Sequence, residues 1–306
     1  MATKVPTETT LGNYQSSTYG KELFLSKAKV GKTVALVGNA LGVFKWNEYG
    51  GVVDKPENLH ILTVDAAALS GCFDFLVNEC GASKEIAKAK VYNLQRQAEK
   101  AFTSTQYSLD FPNAVTVEMD KIRDRASKGG THVLIVSSLT MLAKAWLRSI
   151  SGPALRGDAG SMFKSPMDQN KWNLFKQQMA ELQWQTQSDL YHTFWEAHHG
   201  EKTFKDTATG MDSSLDTLQV DGSTARSFPA NVERIWEIKR TANPWKDANG
   251  KVGNKSVHEV YFDPFPRFDF GDIQTGRKVS GTLEPKEIDL PYALNKLGLD
   301  VGGWGS

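Results

Sequence analysis

The residues of this 306-residue chain best placed to do chemistry are Ser26-Lys-Ala-Lys-Val-Gly-Lys-Thr33. An apolar run, Leu23-Phe-Leu25, precedes them, and Val34-Ala-Leu-Val37 follows. Strand, tight loop and helix form the setting in which successive backbone N–H groups curl around an anion, while the helix adds its own unpaired N–H groups and the positive end of its dipole. In that geometry Ser26, Lys29, Val30 and Gly31 line the loop, the Lys32 ammonium reaches the β- and γ-phosphates of a nucleotide, and the Thr33 hydroxyl faces Mg²⁺. The usual pattern opens on glycine where this chain has Ser26. A basic surface turn is therefore the alternative reading.

The elements that must hold such a loop are legible on either side of it. Residues 59–64 read as a buried strand ending at Asp65, and residues 66–77 as an apolar helix. Residues 83–102 read as one more polar helix with Ile86, Val91, Leu94 and Ala98 along one side. Val115-Thr-Val117 is a short strand signal and residues 120–128 a charged helix. Residues 132–136 form the strongest strand signal in the chain, with no polar residue from 133 to 136. They run through Ser137-Ser138 into a helix over 139–150, with Leu139, Leu142, Trp146 and Ile150 at helical spacing. Asp168 is placed to cap a long helix whose Trp172, Phe175, Met179 and Leu182 share a face. Residues 190–195 read as another strand, ending at Glu196-Ala-His-His-Gly200.

Strands alternating with helices imply a mostly parallel sheet flanked by helices, with ligands at the carboxyl ends of its strands. Those ends are Ser26, Asp65, Ser137 and Glu196 to His199. The last third changes character. Residues 200–230 read as polar loop, and residues 231–264 as an antiparallel hairpin extension turning at Asn249-Gly250. Residues 1–20 read as an N-terminal arm, 21–295 as one domain with a short helix within 285–297, and 296–306 as a tail. No internal repeat is present.

Composition narrows the function classes. Forty per cent hydrophobic and 23% charged residues are those of a water-soluble globular chain. A formal charge of +1 provides no global field toward nucleic acid or membrane. Cys72 and Cys80 match no zinc spacing and read as ordinary thiols in a reducing compartment. The polar N-terminus and the lack of an 18-residue apolar run point to a cytoplasmic protein without a membrane span.

The order of these motifs resembles that of the RecA-fold ATPases, and most of all the small phage-encoded RecA-like ATPases that assist recombination and single-strand annealing. The resemblance spans about residues 20–295 and rests on four places: Ser26 to Thr33, Leu62-Thr-Val-Asp-Ala-Ala-Ala-Leu69, Val133-Leu-Ile-Val-Ser-Ser-Leu-Thr140, and Thr193-Phe-Trp-Glu-Ala-His-His199. It implies a RecA-like P-loop fold, ATP and Mg²⁺ as ligands, a homo-oligomer, single-stranded DNA or an annealing protein as partner, and the host cytoplasm as location. In that family the second place carries a catalytic carboxylate, the third ends in an Asp that orients Mg²⁺, and the fourth has a polar tip that reads the γ-phosphate. A basic residue near the chain's end reaches a neighbouring subunit's nucleotide, a part that falls to Arg277 or Lys278.

This chain departs from the family's pattern at Ser137, where the metal-orienting Asp is expected, and at Ala67, where an acidic residue is expected. Losing two such carboxylates removes most of the preorganisation for phosphoryl transfer, at about 10²–10³ in rate for each. The expectation is a weak or silent ATPase, with Asp65 and Glu196 as the remaining carboxylates. Asp65 is either a site carboxylate or a helix cap, and Ser137 either a residual metal contact or a plain strand end. Adjacent His198 and His199 point to opposite faces of a strand, so one of them, His198, is the sensor candidate rather than half of a shared metal site. Trp236 and Trp245, among Arg234, Lys239, Arg240 and Lys246, form either a basic aromatic edge for single-stranded nucleic acid or, for Trp236, part of the core. The competing function is a catalytically silent structural protein that keeps the fold.

Overall fold

Side chains along the central strands alternate between two apolar layers, as a sheet buried on both faces requires. A computed structural model describes residues 19–27, 31–43, 51–100, 111–151, 168–205, 212–220, 224–232, 234–246 and 252–262. Lys29, Val30, the Asn249-Gly250 turn, Arg277, Lys278, the short helix expected within 285–297 and the two terminal segments expected as arm and tail, apart from Tyr19 and Gly20, lie outside them.

In chain order the strands are β1 (Lys21–Ser26), β2 (Leu59–Thr63), β3 (Lys90–Asn93), β4 (Val133–Ser137), β5 (His192–Lys205), β6 (Asp212–Leu218), β7 (Arg234–Lys246) and β8 (Val252–Phe262). Six of them run parallel in the order β3-β2-β4-β5-β1-β7. β8 pairs antiparallel with β7, and β6 antiparallel with the outer half of β5. The helices are α1 (Lys32–Leu41), α2 (Ala66–Asn78), α3 (Ser83–Lys88), α4 (Leu94–Lys100), α5 (Phe111–Ala126), α6 (Leu139–Ser151), α7 (Gln169–Thr186) and α8 (Thr224–Ser227). This is the α/β architecture, a mostly parallel sheet flanked by helices, that the alternation of motifs implies.

Odd and even strand positions sort cleanly. Phe24, Ile61, Ile135, Phe194 and Trp236 pack with Leu36, Val37, Leu69 and Leu76 of α1 and α2. Leu25, Leu62, Val136, Trp195 and Ile235 pack with Met119, Trp146, Phe175 and Met179 of α5, α6 and α7. Each buried Leu, Ile or Phe contributes roughly 1.5–3 kcal/mol by leaving water. The helix capped by Asp168 forms as its spacing predicts, with the Asp168 carboxylate accepting from the Lys171 N–H at 2.8 Å.

Three local expectations are corrected. Val115-Thr-Val117 lies inside α5, whose Phe111, Ala114, Val115, Glu118, Met119, Ile122 and Ala126 are buried at helical spacing. A β-branched pair is a weak strand signal against packing of that face. The helix expected over 83–102 is broken: Ala89 turns extended (φ −57°, ψ 145°), and residues 90–93 pair with β2 as the edge strand β3. Val91, expected on the buried side, is 40% exposed there. The segment expected as loop over 200–230 instead holds the end of β5, then β6 and α8.

Sheet topology brings the site together. The chain crosses from β1 to β2 over one face through α1, and from β4 to β5 over the other through α6 and α7. β1 and β4 end on either side of the middle of β5, which runs on to pair with β6, at the edge where these connections diverge, the position where open α/β sheets form a crevice.

Candidate functional site

Gly31 is the hinge between loop and helix. Its backbone is left-handed (φ 96°, ψ 22°), a conformation open to glycine and costly for residues with a Cβ. Among the described residues no side chain caps α1, and no acidic residue occupies its first turn, so the positive end of the helix is uncompensated by its own sequence. The Lys32 side chain folds back across the base of the loop, and its ammonium donates to Ser26 Oγ at 2.8 Å. Ser26 Oγ in turn donates to the Lys27 carbonyl at 2.7 Å. The first and seventh residues of the motif are therefore joined, and Lys32 is 5% exposed. Burial lowers its pKa to about 8, with Glu196 acting the other way.

Glu196 is the centre of the arrangement. In β5 it lies in register with Phe24 of β1, and the preceding pair across β4 and β5 is Val136 with Trp195. The next lateral neighbour of Glu196 is thus Ser137. Glu196 Oε2 accepts from Thr33 Oγ1 at 2.8 Å and from Ser137 Oγ at 3.1 Å. Its other oxygen, Oε1, is buried and accepts no hydrogen bond from the described residues. Burial raises the carboxyl pKa, opposed by Lys32 and by the two hydroxyl donors. Lys32 and Glu196 bias each other through space rather than as a close ion pair.

His198 stands in register with Ser26. Its N–H donates to Thr140 Oγ1 in the first turn of α6 at 2.9 Å, and its carbonyl accepts from the Gln219 N–H at 2.8 Å. Burial, then Lys32 and Lys144, push its imidazole down to about 4, so the ring is neutral near pH 7 and carries one donor and one acceptor. His199 points to the opposite face, where its Nε2 lies 3.3 Å from Glu237 Oε1. Adjacent histidines diverge as the strand's period demands, and among the described residues no cluster of three or more His, Cys, Asp or Glu is arranged to hold a metal.

Ser26, Gly31, Lys32, Thr33, Ser137, Glu196 and His198 are thus brought to one end of the sheet. Asp65 is at the same edge but farther off, half-buried at the tip of β2, with β4 between it and β5. Its N–H donates to Thr63 Oγ1 at 3.0 Å. Trp236 is no surface for bases: it is fully buried, stacked on Phe24 with ring centroids 6.0 Å apart, and donates its indole N–H to Glu22. Two participants carry no signal strong enough to single out in the sequence. Thr140 and Gln219 fix His198 from α6 and from the end of β6, and only strand pairing reveals them.

These residues fit a polyphosphate with a divalent cation. The left-handed Gly31, the uncapped helix end and the Lys32 ammonium suit the phosphates. Thr33, with a carboxylate that keeps one oxygen unpartnered, suits a hard cation that takes one or two protein oxygens and completes its shell with phosphate and water.

No protein-family model matches the chain, and no curated protein does. Among solved structures the chain is similar to a prototypical ATPase from the type III secretion system of pathogenic bacteria, at 12% identity and a TM-score of 0.42 over 72% of this chain and 51% of that one. It is also similar to a KaiC-like protein from the hyperthermophilic archaeon Pyrococcus horikoshii OT3, at 10% identity and a TM-score of 0.37 over 84% of this chain and 83% of that one. The chain spans about half the length of the first. No helix among the described residues is long and apolar enough to cross a membrane.

Proposed function

We propose that this protein binds ATP with Mg²⁺ through a RecA-like P-loop and assists phage DNA recombination or single-strand annealing in the host cytoplasm. The nucleotide serves as a conformational or assembly ligand between subunits of a homo-oligomer, and hydrolysis is weak or lost. The observation that carries the nucleotide is the left-handed Gly31 opening an uncapped α1, with Lys32 folded over the loop base onto Ser26. The recombination role, the DNA or annealing-protein partner and the trans contact through Arg277 rest on the resemblance read from the sequence. Weak turnover follows from Ser137 and Ala67, positions without the carboxylates that phosphoryl transfer uses. Asp65, Glu196 and His198 are the groups left to act on the γ-phosphate.

A second reading, a catalytically silent structural protein, is favoured by one observation: the Lys32 ammonium already has an acceptor within its own chain. Titration with a fluorescent ATP analogue separates the two. Saturable binding in Mg²⁺, weakened at least about 100-fold in Lys32→Ala, supports the nucleotide. An equal absence of binding in both proteins supports the scaffold. Salt-dependent binding of single-stranded DNA to the nucleotide-loaded protein then tests the partner.

A further inference from the structure

Glu196 is in an unusual position for a structural residue. It is 1% exposed, yet among the described residues one carboxylate oxygen has no hydrogen-bond donor. Buried carboxylates are ordinarily paired or fully hydrogen-bonded, because an unpaired one gives up its hydration for nothing. The donors that do reach Glu196 all come from the phosphate side: Thr33 from the first turn of α1 and Ser137 from the end of β4, both on Oε2. The unpartnered oxygen therefore belongs to a carboxylate already anchored beside the hydroxyl best placed to meet a metal. Ser137 contributes no charge of its own and acts as a donor toward Glu196.

We propose that Glu196 is the carboxylate that anchors the divalent cation accompanying a bound polyphosphate, with Ser137 as its positioning residue. This rests on the phosphate-loop reading above and adds to it which strand supplies the anionic ligand. The geometry that permits it is lateral. Positions 137 and 196 are neighbours across the β4–β5 ladder, on the same face of the sheet, and neighbouring strands lie about 4.8 Å apart. A carboxylate moved from one strand to the next, on a side chain one methylene longer than aspartate, still reaches the Thr33 hydroxyl, and here it does so at 2.8 Å. Thr33 and Glu196 supply the protein oxygens; phosphate and water supply the rest, the usual shell of a small hard cation.

The test measures affinity for a fluorescent ATP analogue in EDTA and across a Mg²⁺ series, for wild type, Glu196→Gln and the exchange variant Ser137→Asp/Glu196→Gln. Thermal melts of all three establish folding. In wild type, Mg²⁺ tightens binding. In Glu196→Gln, the Mg²⁺ concentration for half-maximal tightening rises about 10–100-fold, the usual consequence of losing a metal-site carboxylate. Its metal-free binding strengthens, because the anion facing the phosphates is gone. In the exchange variant the Mg²⁺ response returns to within several-fold of wild type, since position 137 then carries the charge. An unchanged Mg²⁺ response in Glu196→Gln overturns the proposal, and so does a parallel loss of binding with and without metal, which marks a purely structural residue. Failure of wild type itself to bind nucleotide overturns the phosphate-loop reading, and this inference with it.

Discussion

At the amino edge of the sheet, a chain of three buried polar side chains satisfies itself completely; at the carboxyl edge, one oxygen of the buried Glu196 is left without a donor among the described residues. The amino-edge chain joins Tyr92, His60 and His132. His132 Nε2 donates to the Gly129 carbonyl at 3.3 Å, because a carbonyl only accepts. That leaves His132 Nδ1 to accept from His60 Nε2–H at 3.0 Å, and His60 Nδ1 to accept from the Tyr92 hydroxyl at 3.0 Å. Every ring nitrogen is used, both tautomers are fixed, and the two imidazoles lie nearly parallel, at 7°, with centroids 5.3 Å apart. At the other edge Glu196 Oε2 has two donors and Oε1 none. Burial is the same in both places, so burial does not separate scaffold from site. Completeness of hydrogen bonding distinguishes these two networks: the closed one ties strands together, and the open one leaves a carboxylate oxygen without a donor.

The largest effect expected from this contrast is at the amino edge. His60→Ala leaves the Tyr92 hydroxyl and His132 Nδ1 without partners and opens a void between β2 and β4. The expected loss is about 3 kcal/mol of stability by urea unfolding, from unsatisfied buried polar groups and the cavity together. ATP-analogue affinity of the folded variant stays within about twofold of wild type, since the change sits at the opposite edge. A loss under 1 kcal/mol would show that the chain is not a structural tie.

Acid should act on the same network. Burial, then the neighbouring His132, Arg125 and Lys90, push His60 down to about 3, and burial also lowers His132. The unfolded chain binds protons on these imidazoles below about pH 6.5, while native His60 does not until much lower pH. The stability this represents is fully present above about pH 6.5 and is lost as pH falls toward about 3, at up to about 1.4 kcal/mol per pH unit for one histidine. Between pH 6.5 and 5 the expected loss attributable to His60 is about 2 kcal/mol, read from urea midpoints, and the slope flattens in His60→Ala. Equal slopes in the two proteins would remove His60 from the account.

Glu196→Gln is expected to change stability by less than about 1 kcal/mol, because the amide oxygen still accepts from Thr33 and Ser137 while a costly buried charge is removed. A thermal melt moving less than about 4 °C fits that expectation. A destabilisation as large as that of His60→Ala would make the carboxyl edge as structural as the amino edge and erase the distinction.

How much of this was legible in the sequence depends on the range of the interaction. The strand, loop and helix around Ser26 to Thr33 are local, and Leu23 to Val37 display them in the right order. The apolar run 133–136 announces β4, and Asp168 with its 3.6-residue face announces α7. The charged helix over 120–128 is legible and forms the second half of α5, but the first half of α5 and β3 run against weak local signals that tertiary packing overrides: Val115 and Val117 are β-branched in a helix, and Lys90 to Asn93 sit in helix-favouring sequence but pair with β2. The centre of the site is less legible still. A Glu at a strand end is visible, but its bond to Thr33 spans 163 positions and its bond to Ser137 spans 59. Both exist only because β5 inserts between β1 and β4, an order that periodicity does not encode.

The smallest effect tests whether one oxygen is truly shared. Thr33→Val and Ser137→Ala each remove one donor from Glu196 Oε2, and in either single variant the oxygen keeps the other. Each alone is expected to cost about 0.5–1.5 kcal/mol or less, the net value of an ordinary hydrogen bond. In the double variant Oε2 joins Oε1 in having no partner, and a buried carboxylate with both oxygens unsatisfied is worse than the sum of two half-satisfied ones. The double-mutant cycle should therefore show a coupling of about 0.5 kcal/mol or more in the destabilising sense, by chemical unfolding without nucleotide. Strict additivity would mean that the two hydroxyls do not meet on Glu196, and the open network at the carboxyl edge would dissolve into separate contacts. A coupling of that sign, alongside the wild-type Mg²⁺ response, would instead locate on a single side chain both a buried carboxylate with one oxygen left without a donor and the group the cation needs.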